Sequence, residues 1–519
     1  MTATIFTCLE AAAERTPAAP ALVDGRRRVD HQGLATDAQA VGRSLMALGL
    51  VRRTRVAIYL DKSIEMATAI LACVSAGLIA VPLNPKLKPW QVAYAVGDCG
   101  AGCLITSAFR WSQLKPALPD WSGRLVLTGE ASQDAIAWNT LRTAGMPVSG
   151  VQPIDADPAA ILYTSGSTGP PKGVVLSNRN LTAGAESVNR YLGTRPQDVI
   201  LGLLPLSFDA GLSQLTTAIC AGACVVLHEY IRPQEVASVC ASHGVTSITA
   251  VPPLWTQLAQ GVWAPDVAAQ VRIIANTGGH MPAPLLQTLR RTFPRAAPFL
   301  MYGLTEAFRS TYLDPAEVDR RPGSIGKAIP NAEVLVLDEH GQECPPGVPG
   351  ELVHRGAHVA LGYWNDAERT AERFRPFEGF TNSGVRQEFA VWSGDIVKRD
   401  EEGFLYFVGR RDEMIKSMGY RISPGEVESV LFQAACVHEA AVFGIPDEEA
   451  GQKVVAAVVP GRAPFDLALL EDHCRRLLPS YMTPHLAPCD ALPRSPNGKI
   501  DRAALRKAFL AGELQLERV

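Results

Sequence analysis

Short apolar runs alternate with helical periodicity along the first part of the chain. Val56–Tyr59 and Leu104–Thr106 have the length and the flanking residues of buried strands. Ala38–Leu48 and Ile64–Ala76 instead have the apolar spacing of helices. Because each helix must bury its apolar stripe against another layer, this alternation predicts a layered α/β fold.

The same pattern continues beyond the middle of the chain. Helical stretches at Pro233–Ser242 and Ala283–Thr292 separate further apolar runs. The strand candidates there are Val199–Leu203, Ala223–Leu227, Ser247–Val251 and Arg272–Ala275. Glycine and proline then become frequent, and Glu333–Leu337 and Gly350–Arg355 are typical of a smaller β-rich region.

The pattern changes again near Gly409–Asp412. Beyond it we expect a small α+β domain, with helices and strands at Pro424–Gln433, Ala440–Gly444, Lys453–Val459 and Asp466–Leu478. A chain of 519 residues exceeds what one hydrophobic core usually supports. We therefore predict two domains, a core of layered α/β subdomains plus a β-rich subdomain at 1–409 and a small α+β domain at 410–519.

Composition excludes several classes of protein. A net charge of −3 with 19% charged residues gives no basic surface for nucleic acid. The longest apolar run, Ala69–Leu83, is interrupted by serine, glycine and proline and is too short to insert in a membrane. The N-terminus has no signal-peptide pattern, and eleven cysteines without a C-x-x-C motif fit a reducing compartment. We expect a cytoplasmic protein.

The segment Tyr163–Gly173, YTSGSTGPPKG, carries the first candidate chemistry. Its glycines let backbone N–H groups approach phosphate oxygens, its hydroxyls donate hydrogen bonds and its lysine adds a charge. It is not a Walker A loop, because Lys172 is followed by Gly173 and not by serine or threonine. The predicted phosphate contacts are Thr164, Ser165, Gly166, Ser167, Thr168, Gly169 and Lys172.

This loop and seven further motifs, in order, resemble the adenylate-forming superfamily of acyl-CoA synthetases, luciferases and peptide-synthetase adenylation domains. The further motifs are Leu204–Asp209, Asn276–Gly279, Tyr302–Glu306, Gly350–Gly356, Ser393–Asp395, Gly409–Asp412 and Asn497–Arg502. Phe208–Thr217 and Glu306–Leu313 look most similar to the AMP-forming acyl-CoA ligases associated with exosortase A systems. Ser393 stands where the family usually has threonine.

The resemblance implies that ATP converts a small carboxylic acid to acyl-AMP with release of pyrophosphate. It assigns Mg²⁺ binding to Glu306, an α-phosphate contact to Thr305, adenine stacking to Tyr302, adenine lining to Gly278 and Gly279, ribose contacts to Asp395 and Arg410, and catalysis by charge neutralisation to Lys499. These groups would bring two anions together, which requires cations and oriented donors.

For a second half-reaction, the resemblance implies that a thiol attacks the acyl-AMP after the small domain swings about Asp412. Gly419 would line the thiol tunnel and Arg421 would contact phosphate. CoA is the expected acceptor. The alternative is the phosphopantetheine of a carrier protein, which Asp209 and the ending NGKIDR favour.

Three residues bear on the acid that is activated. The resemblance to peptide-synthetase adenylation domains implies that Asp209 binds an amino acid's α-ammonium group, and the alternative is that Asp209 caps the following helix. Arg309 either points into the substrate pocket or lies on the surface of a helix, and the second is favoured. Trp255 is a candidate pocket wall, with core packing as the alternative.

Overall fold

The computed structural model describes residues 4–129, 134–143, 152–164, 171–230, 232–377, 388–411, 413–417, 420–447, 451–461, 464–495 and 498–512. Its internal contacts divide the chain into two compact units. The first unit contains Met1–Val334 and His354–Trp392, and the second contains Leu335–Val353 and Ser393–Val519. The predicted boundary between residues 409 and 410 marks where one domain would move against the other, which a division by internal contacts does not test. It stays a prediction.

The first unit contains two sheets. The first sheet is parallel except at the strand pairs formed by Lys172–Ser177, which runs antiparallel to both of its neighbours. Its strands, in spatial order, are Gly362–Tyr363, Lys172–Ser177, Pro158–Thr164, Ile79–Pro82, Arg55–Tyr59, Cys103–Ser107, Arg124–Thr128 and Ile136–Ala137.

The second sheet of this unit has a parallel centre with antiparallel strands at both ends. Its strands, in spatial order, are Ser324–Ala328, Thr311–Leu313, Ala297–Tyr302, Ile273–Asn276, Ser247–Ala250, Val199–Gly202, Cys224–Leu227, Pro20–Asp24 and Arg27–Asp30. A short strand, Phe374–Pro376, pairs with the start of Phe389–Arg399.

Helices cover these sheets. The α-helices are Ile5–Arg15, His31–Ala47, Ile64–Ser75, Pro89–Asp98, Ala108–Leu114, Trp138–Thr143, Asn178–Leu192, Asp209–Ala221, Pro233–His243, Pro252–Ala259, Pro265–Gln270, Ala283–Thr292 and Ala367–Arg373. Two 3₁₀ turns lie at Lys115–Ala117 and Thr305–Ala307.

The largest core of the first unit combines both sheets. It joins Ile58 of the first sheet and Val225 of the second to residues of intervening helices, such as Leu71 and Leu215. Helix Ile64–Ser75 is buried at nearly every position because it lies in this middle layer, and the Ser63 hydroxyl caps it by accepting a hydrogen bond from the Met66 amide. Further clusters fill the outer faces of the two sheets.

The second unit includes a three-stranded sheet between helices. Val437–Asp447 pairs antiparallel with Gly451–Pro460, which pairs in parallel with His485–Pro488. Helices Pro424–Leu431, Leu467–Leu477 and Arg502–Leu510, the 3₁₀ turn Ser480–Met482 and the strands Leu405–Arg410, Ile415–Ser417 and Tyr420–Ile422 complete the elements that lie wholly within it. Two hydrophobic clusters cover the two faces of the sheet.

Three further strands, Ala332–Leu337, Gly350–Gly356 and Phe389–Arg399, contain the points at which the chain is divided. The α/β prediction, with a smaller α+β part at the C-terminal end, is confirmed. Among the described residues, no helix has both the length and the apolar character needed to cross a bilayer.

Candidate functional site

The two ends of the predicted phosphate loop lie opposite each other on neighbouring strands. Thr164 ends one strand, Lys172 begins the next, and the two are paired in the antiparallel register. The residues between them that were predicted to contact phosphate, Ser165, Gly166, Ser167, Thr168 and Gly169, lie outside the described residues. The described ends place one hydroxyl and one cation at the base of this loop.

Glu306 is held in the same unit by a residue that the sequence analysis did not single out. It lies in the turn Thr305–Ala307, in which Thr305 is buried. The Tyr363 hydroxyl donates a hydrogen bond of 2.7 Å to Glu306 Oε1. One carboxylate oxygen is thereby fixed, and acceptor capacity remains on the group for a cation.

Cationic side chains lie near the Glu306 carboxylate. The Lys172 ammonium lies 5.3 Å from the centre of the Tyr363 ring. Burial lowers the pKa of Lys172, and the nearby guanidinium groups of Arg369 and Arg373 lower it further, while Glu306 acts in the opposite direction. Cations that repel one another in this way favour a polyanion as a partner.

The loop Asn276–Gly279, which is predicted to line adenine, packs closely against Val251. Gly278 has φ of 74°, and a Cβ atom there would lie 3.2 Å from the Val251 side chain. Asn276 Nδ2 donates to the Gly279 carbonyl at 2.8 Å, while its buried Oδ1 has no hydrogen-bond partner in the described part of the chain. The backbone angle favours glycine here, and the Val251 side chain leaves little space for a larger residue.

Tyr302, the predicted adenine-stacking residue, lies beside a buried histidine. Its ring is 6.3 Å from that of His354, centre to centre, at an interplanar angle of 15°. Burial lowers the pKa of His354 to about 3, with a smaller contribution from His358. His354 is therefore neutral at physiological pH.

In the second unit, Asp395 and Arg410 face each other. They are register partners on neighbouring strands, and Arg410 Nε lies 3.5 Å from Asp395 Oδ1. The Ser393 hydroxyl donates to the Leu352 carbonyl at 2.6 Å and accepts from the Asp395 amide at 3.1 Å. The hydroxyl that serine shares with threonine is therefore used, so this departure from the family pattern keeps the local hydrogen bonds.

Lys499 lies in the second unit with its side chain exposed. The Ser495 amide donates to the Lys499 carbonyl at 2.8 Å, and Gly498 has φ of 79°. Nearby, Arg502 pairs with Glu428 at 2.7 Å and with Glu413 at 3.2 Å. Asp412, Gly419 and the side chain of Arg421 lie outside the described residues.

The substrate-pocket predictions have different outcomes. Arg309 is only 4% exposed, so its interpretation as a surface residue is wrong. Asp209 is the first residue of its helix, whose N-cap is Phe208, so the capping interpretation is wrong as well. Trp255 is fully buried, packs edge-on against Phe293 and donates to the Ala275 carbonyl at 3.3 Å. Its place in the core favours the packing alternative.

Tyr363 is the functional candidate that the sequence reasoning missed. It follows Gly362 in a two-residue strand, 57 positions from Glu306. The sequence offered only a Gly-Tyr-Trp run, which is equally typical of packing. The contact arises because Gly362–Tyr363 pairs with Val174–Val175, the strand that begins at Lys172.

The described groups fit a magnesium nucleotide. Glu306 offers a hard carboxylate ligand of the kind Mg²⁺ prefers. Lys172, Thr164 and the nearby arginines offer cations and donors for phosphate oxygens. Within the described residues, no cluster of three or more histidine, cysteine or acidic side chains could hold a metal by protein ligands alone.

Comparisons with known proteins agree with this chemistry. Residues 9–364 match the AMP-binding enzyme family, and residues 426–499 match the AMP-binding enzyme C-terminal domain. Tyrocidine synthase 2 of Brevibacillus parabrevis is 31% identical over 97% of the chain, but the chain spans only 14% of that protein.

Solved structures resemble the whole chain. The o-succinylbenzoate CoA synthetase of Bacillus subtilis, in complex with its acyl-adenylate, is 30% identical with a TM-score of 0.83, covering 96% of this chain and 97% of that one. ATP-bound MatB from Rhodopseudomonas palustris is 25% identical with a TM-score of 0.88, covering 98% and 99%. The chain therefore belongs to the AMP-binding enzymes and is an adenylate-forming enzyme.

Proposed function

We propose that this protein uses ATP to convert a carboxylic acid to acyl-AMP, releases pyrophosphate, and then transfers the acyl group to the thiol of CoA. The observation that carries the first step is the arrangement of Glu306, Tyr363 and Lys172 beside the predicted phosphate loop. This arrangement places an oriented carboxylate near cationic side chains. A magnesium polyphosphate needs both, the carboxylate for the metal ion and the cations for the phosphates.

The resemblance to the family assigns a role to each residue of the site. Glu306 would hold Mg²⁺, and the bound ion would neutralise charge on the phosphates. Lys172 and Thr164, with the loop residues Ser165–Gly169, bind the β- and γ-phosphates, and Thr305 donates to the α-phosphate. Tyr302, Gly278 and Gly279 receive adenine.

The resemblance also assigns roles to residues of the second unit. Asp395 accepts hydrogen bonds from the ribose hydroxyls, and Arg410 orients it. Lys499 neutralises the charge that develops between the substrate carboxylate and the α-phosphate. By the same resemblance, Asp412 would be the hinge, Gly419 would line the thiol tunnel and Arg421 would contact phosphate.

CoA as acceptor is supported by the similarity in fold to CoA synthetases over the full length of both chains. The competing proposal is acyl transfer to the phosphopantetheine of a carrier protein. It is supported by the similarity to segments of peptide synthases. Offering CoA and a holo-carrier protein in parallel to the acyl-AMP-loaded enzyme decides between the two acceptors.

The adenylation proposal is tested by acid-dependent exchange of labelled pyrophosphate into ATP. Lys499→Ala is expected to lower exchange by at least about 100-fold, because it removes a charge that acts in the transition state, while thioester formation from supplied acyl-AMP is spared. Lys507→Ala removes another exposed lysine of the same unit and serves as the matched control. Normal exchange in the Lys499 variant would refute the role of Lys499.

A further inference from the structure

Arg309 is buried by an unusual stretch of backbone. Phe308 has φ of 45° and Arg309 has φ of 156°, both in the region that favours glycine. With this backbone conformation, the Arg309 side chain is only 4% exposed. Backbone strain and a buried cation in the same place are retained where a site requires them.

The guanidinium group of Arg309 has one edge without hydrogen bonds. Its Nε and Nη2 atoms are buried and have no hydrogen-bond partner in the described part of the chain. The Oδ2 atom of Asp209 lies 3.8 Å from Nη2, which is close enough for an ion pair but too far for a hydrogen bond. The Nε and Nη2 atoms together form the planar fork that binds both oxygens of a carboxylate.

Acceptors without partners line the cavity that Arg309 enters. Gln214 Oε1 and Thr217 Oγ1 line this cavity, are buried and have no hydrogen-bond partner among the described residues. Gln214 is fixed by donating from Nε2 to the Leu201 carbonyl at 2.9 Å. The open space of this cavity is about 20 Å³, which is room for one small polar group such as the end of a substrate side chain.

The charges of Arg309 and Asp209 restrict which substrates can bind beside them. A second carboxylate alone would pair with Arg309 but would leave Asp209 next to a like charge. An ammonium group alone would satisfy Asp209 and draw it from Arg309. A molecule with both charges, close together, gives each of the four groups an opposite neighbour.

We infer that the acid activated by this protein is a short α-amino dicarboxylic acid, of the aspartate and glutamate class. Its side-chain carboxylate binds the Nε–Nη2 edge of Arg309, and its ammonium group binds Asp209. This inference rests on the proposed formation of acyl-AMP and names the substrate of that same site.

The test is pyrophosphate exchange by the full chain with matched acids. Aspartate and glutamate are compared with asparagine and glutamine, which lose the second carboxylate, with succinate and glutarate, which lose the ammonium group, and with alanine, fatty and aryl acids. We expect kcat/KM for one of the amino dicarboxylic acids to exceed that of its amide and of its deaminated analogue by about 100-fold or more.

Variants of Arg309 then separate charge from geometry. Arg309→Gln should abolish the preference for the acid over the amide, and Arg309→Lys should recover only part of it, because lysine keeps the charge without the fork. Arg320→Gln, an exposed arginine of the same unit, is the matched control and should leave the preference unchanged. Thermal unfolding and ATP binding verify that each variant is folded.

The possible failures are distinct. Exchange that is as fast with alanine, succinate, a fatty acid or an aryl acid as with any amino dicarboxylic acid overturns this inference and leaves acyl-AMP formation standing. A preference that survives in Arg309→Gln also overturns it. Absence of exchange with every acid, in protein that binds ATP, refutes the proposed function and this inference with it.

Discussion

Two arginine–aspartate pairs in the first unit contain the same residue types but differ in every contact. Arg272 Nε donates to Asp198 Oδ1 at 2.7 Å, and its Nη2 bonds both Asp198 Oδ2 and the Gly193 carbonyl. Arg309 approaches Asp209 only to 3.8 Å and leaves two guanidinium nitrogens without partners.

The difference shows how a structural pair and a ligand-binding pair can be told apart. Asp198 is further held by the Arg195 amide at 2.6 Å and the Thr246 hydroxyl at 2.8 Å. Burial would raise the pKa of Asp198, but these hydrogen bonds hold it below its ordinary value. In a pair that stabilises the fold, the charged groups are hydrogen-bonded to each other and to the surrounding protein. In the Arg309 pair, two guanidinium nitrogens remain available to a ligand.

The largest expected effect comes from breaking the satisfied pair. Asp198→Ala leaves Arg272 partly buried without its partner, and we expect the free energy of unfolding to fall by about 3 kcal/mol. Denaturant unfolding measures this loss. The ratio of exchange rates between acids should stay that of the wild type, and a loss below about 1 kcal/mol would show that Asp198 and Arg272 do not stabilise the fold.

The next effect concerns His354, a buried neutral group of the same unit whose Nε2 has no partner among the described residues. Its pKa is about 3 in the fold and 6.5 as the ordinary value, so below pH 6.5 the unfolded chain binds a proton that the folded chain does not. Stability contributed by this group therefore falls as pH decreases from 6.5 toward 3, by about 2 kcal/mol at pH 5.

Unfolding measured at pH 7 and at pH 5 checks this window. His354→Asn should reduce the loss between the two pH values, and His340→Asn, at an exposed histidine, should not. An equal loss in all three proteins would mean that His354 is not the group responsible.

A smaller effect is expected at Glu306. One of its carboxylate oxygens accepts a hydrogen bond from Tyr363, so it has fewer hydrogen bonds than Asp198 and more than the Arg309 pair. Tyr363→Phe removes its 2.7 Å hydrogen bond and nothing else. We expect kcat/KM for ATP at limiting Mg²⁺ to fall by about 10-fold, in keeping with the loss of one hydrogen bond to a charged group. Unchanged kinetics across a magnesium titration would exclude Tyr363 as the residue that positions Glu306.

The smallest effect on stability is predicted for the pair with unused donors. Replacing both members, as Arg309→Met with Asp209→Asn, should change the free energy of unfolding by less than about 1 kcal/mol, because two incompletely paired charges are exchanged for neutral groups. The same denaturant unfolding used for Asp198→Ala applies. A loss as large as that of Asp198→Ala would make the two pairs equivalent and remove the distinction drawn above.

Local patterns predicted the elements well where burial alone determined them. The strand expected at Val56–Tyr59 is Arg55–Tyr59, and the helix expected at Pro233–Ser242 is Pro233–His243. In the second unit the strand expected at Ala440–Gly444 is longer, Val437–Asp447, because antiparallel pairing continues past the apolar run to polar residues such as Glu439 and Asp447.

The candidate site was less predictable because its contacts are long-range. Motifs identified Glu306, but the hydroxyl of Tyr363 reaches it only through strand pairing. A surface position on a helix was the favoured interpretation of Arg309, but Phe308 and Arg309 have positive φ angles, which no glycine in the sequence indicates at these positions. Sequence patterns cannot show that a guanidinium group is buried beside Asp209.

The central claim is that the Arg309 fork recognises the second carboxylate of the substrate. A crystal structure of the protein with a non-hydrolysable aspartyl- or glutamyl-adenylate analogue tests it most directly. The account predicts both side-chain carboxylate oxygens at about 2.9 Å from Nε and Nη2 of Arg309, with the ammonium group at Asp209. A bound analogue whose side chain lies elsewhere, while Arg309 and Asp209 form a closed pair like Arg272 and Asp198, would contradict it.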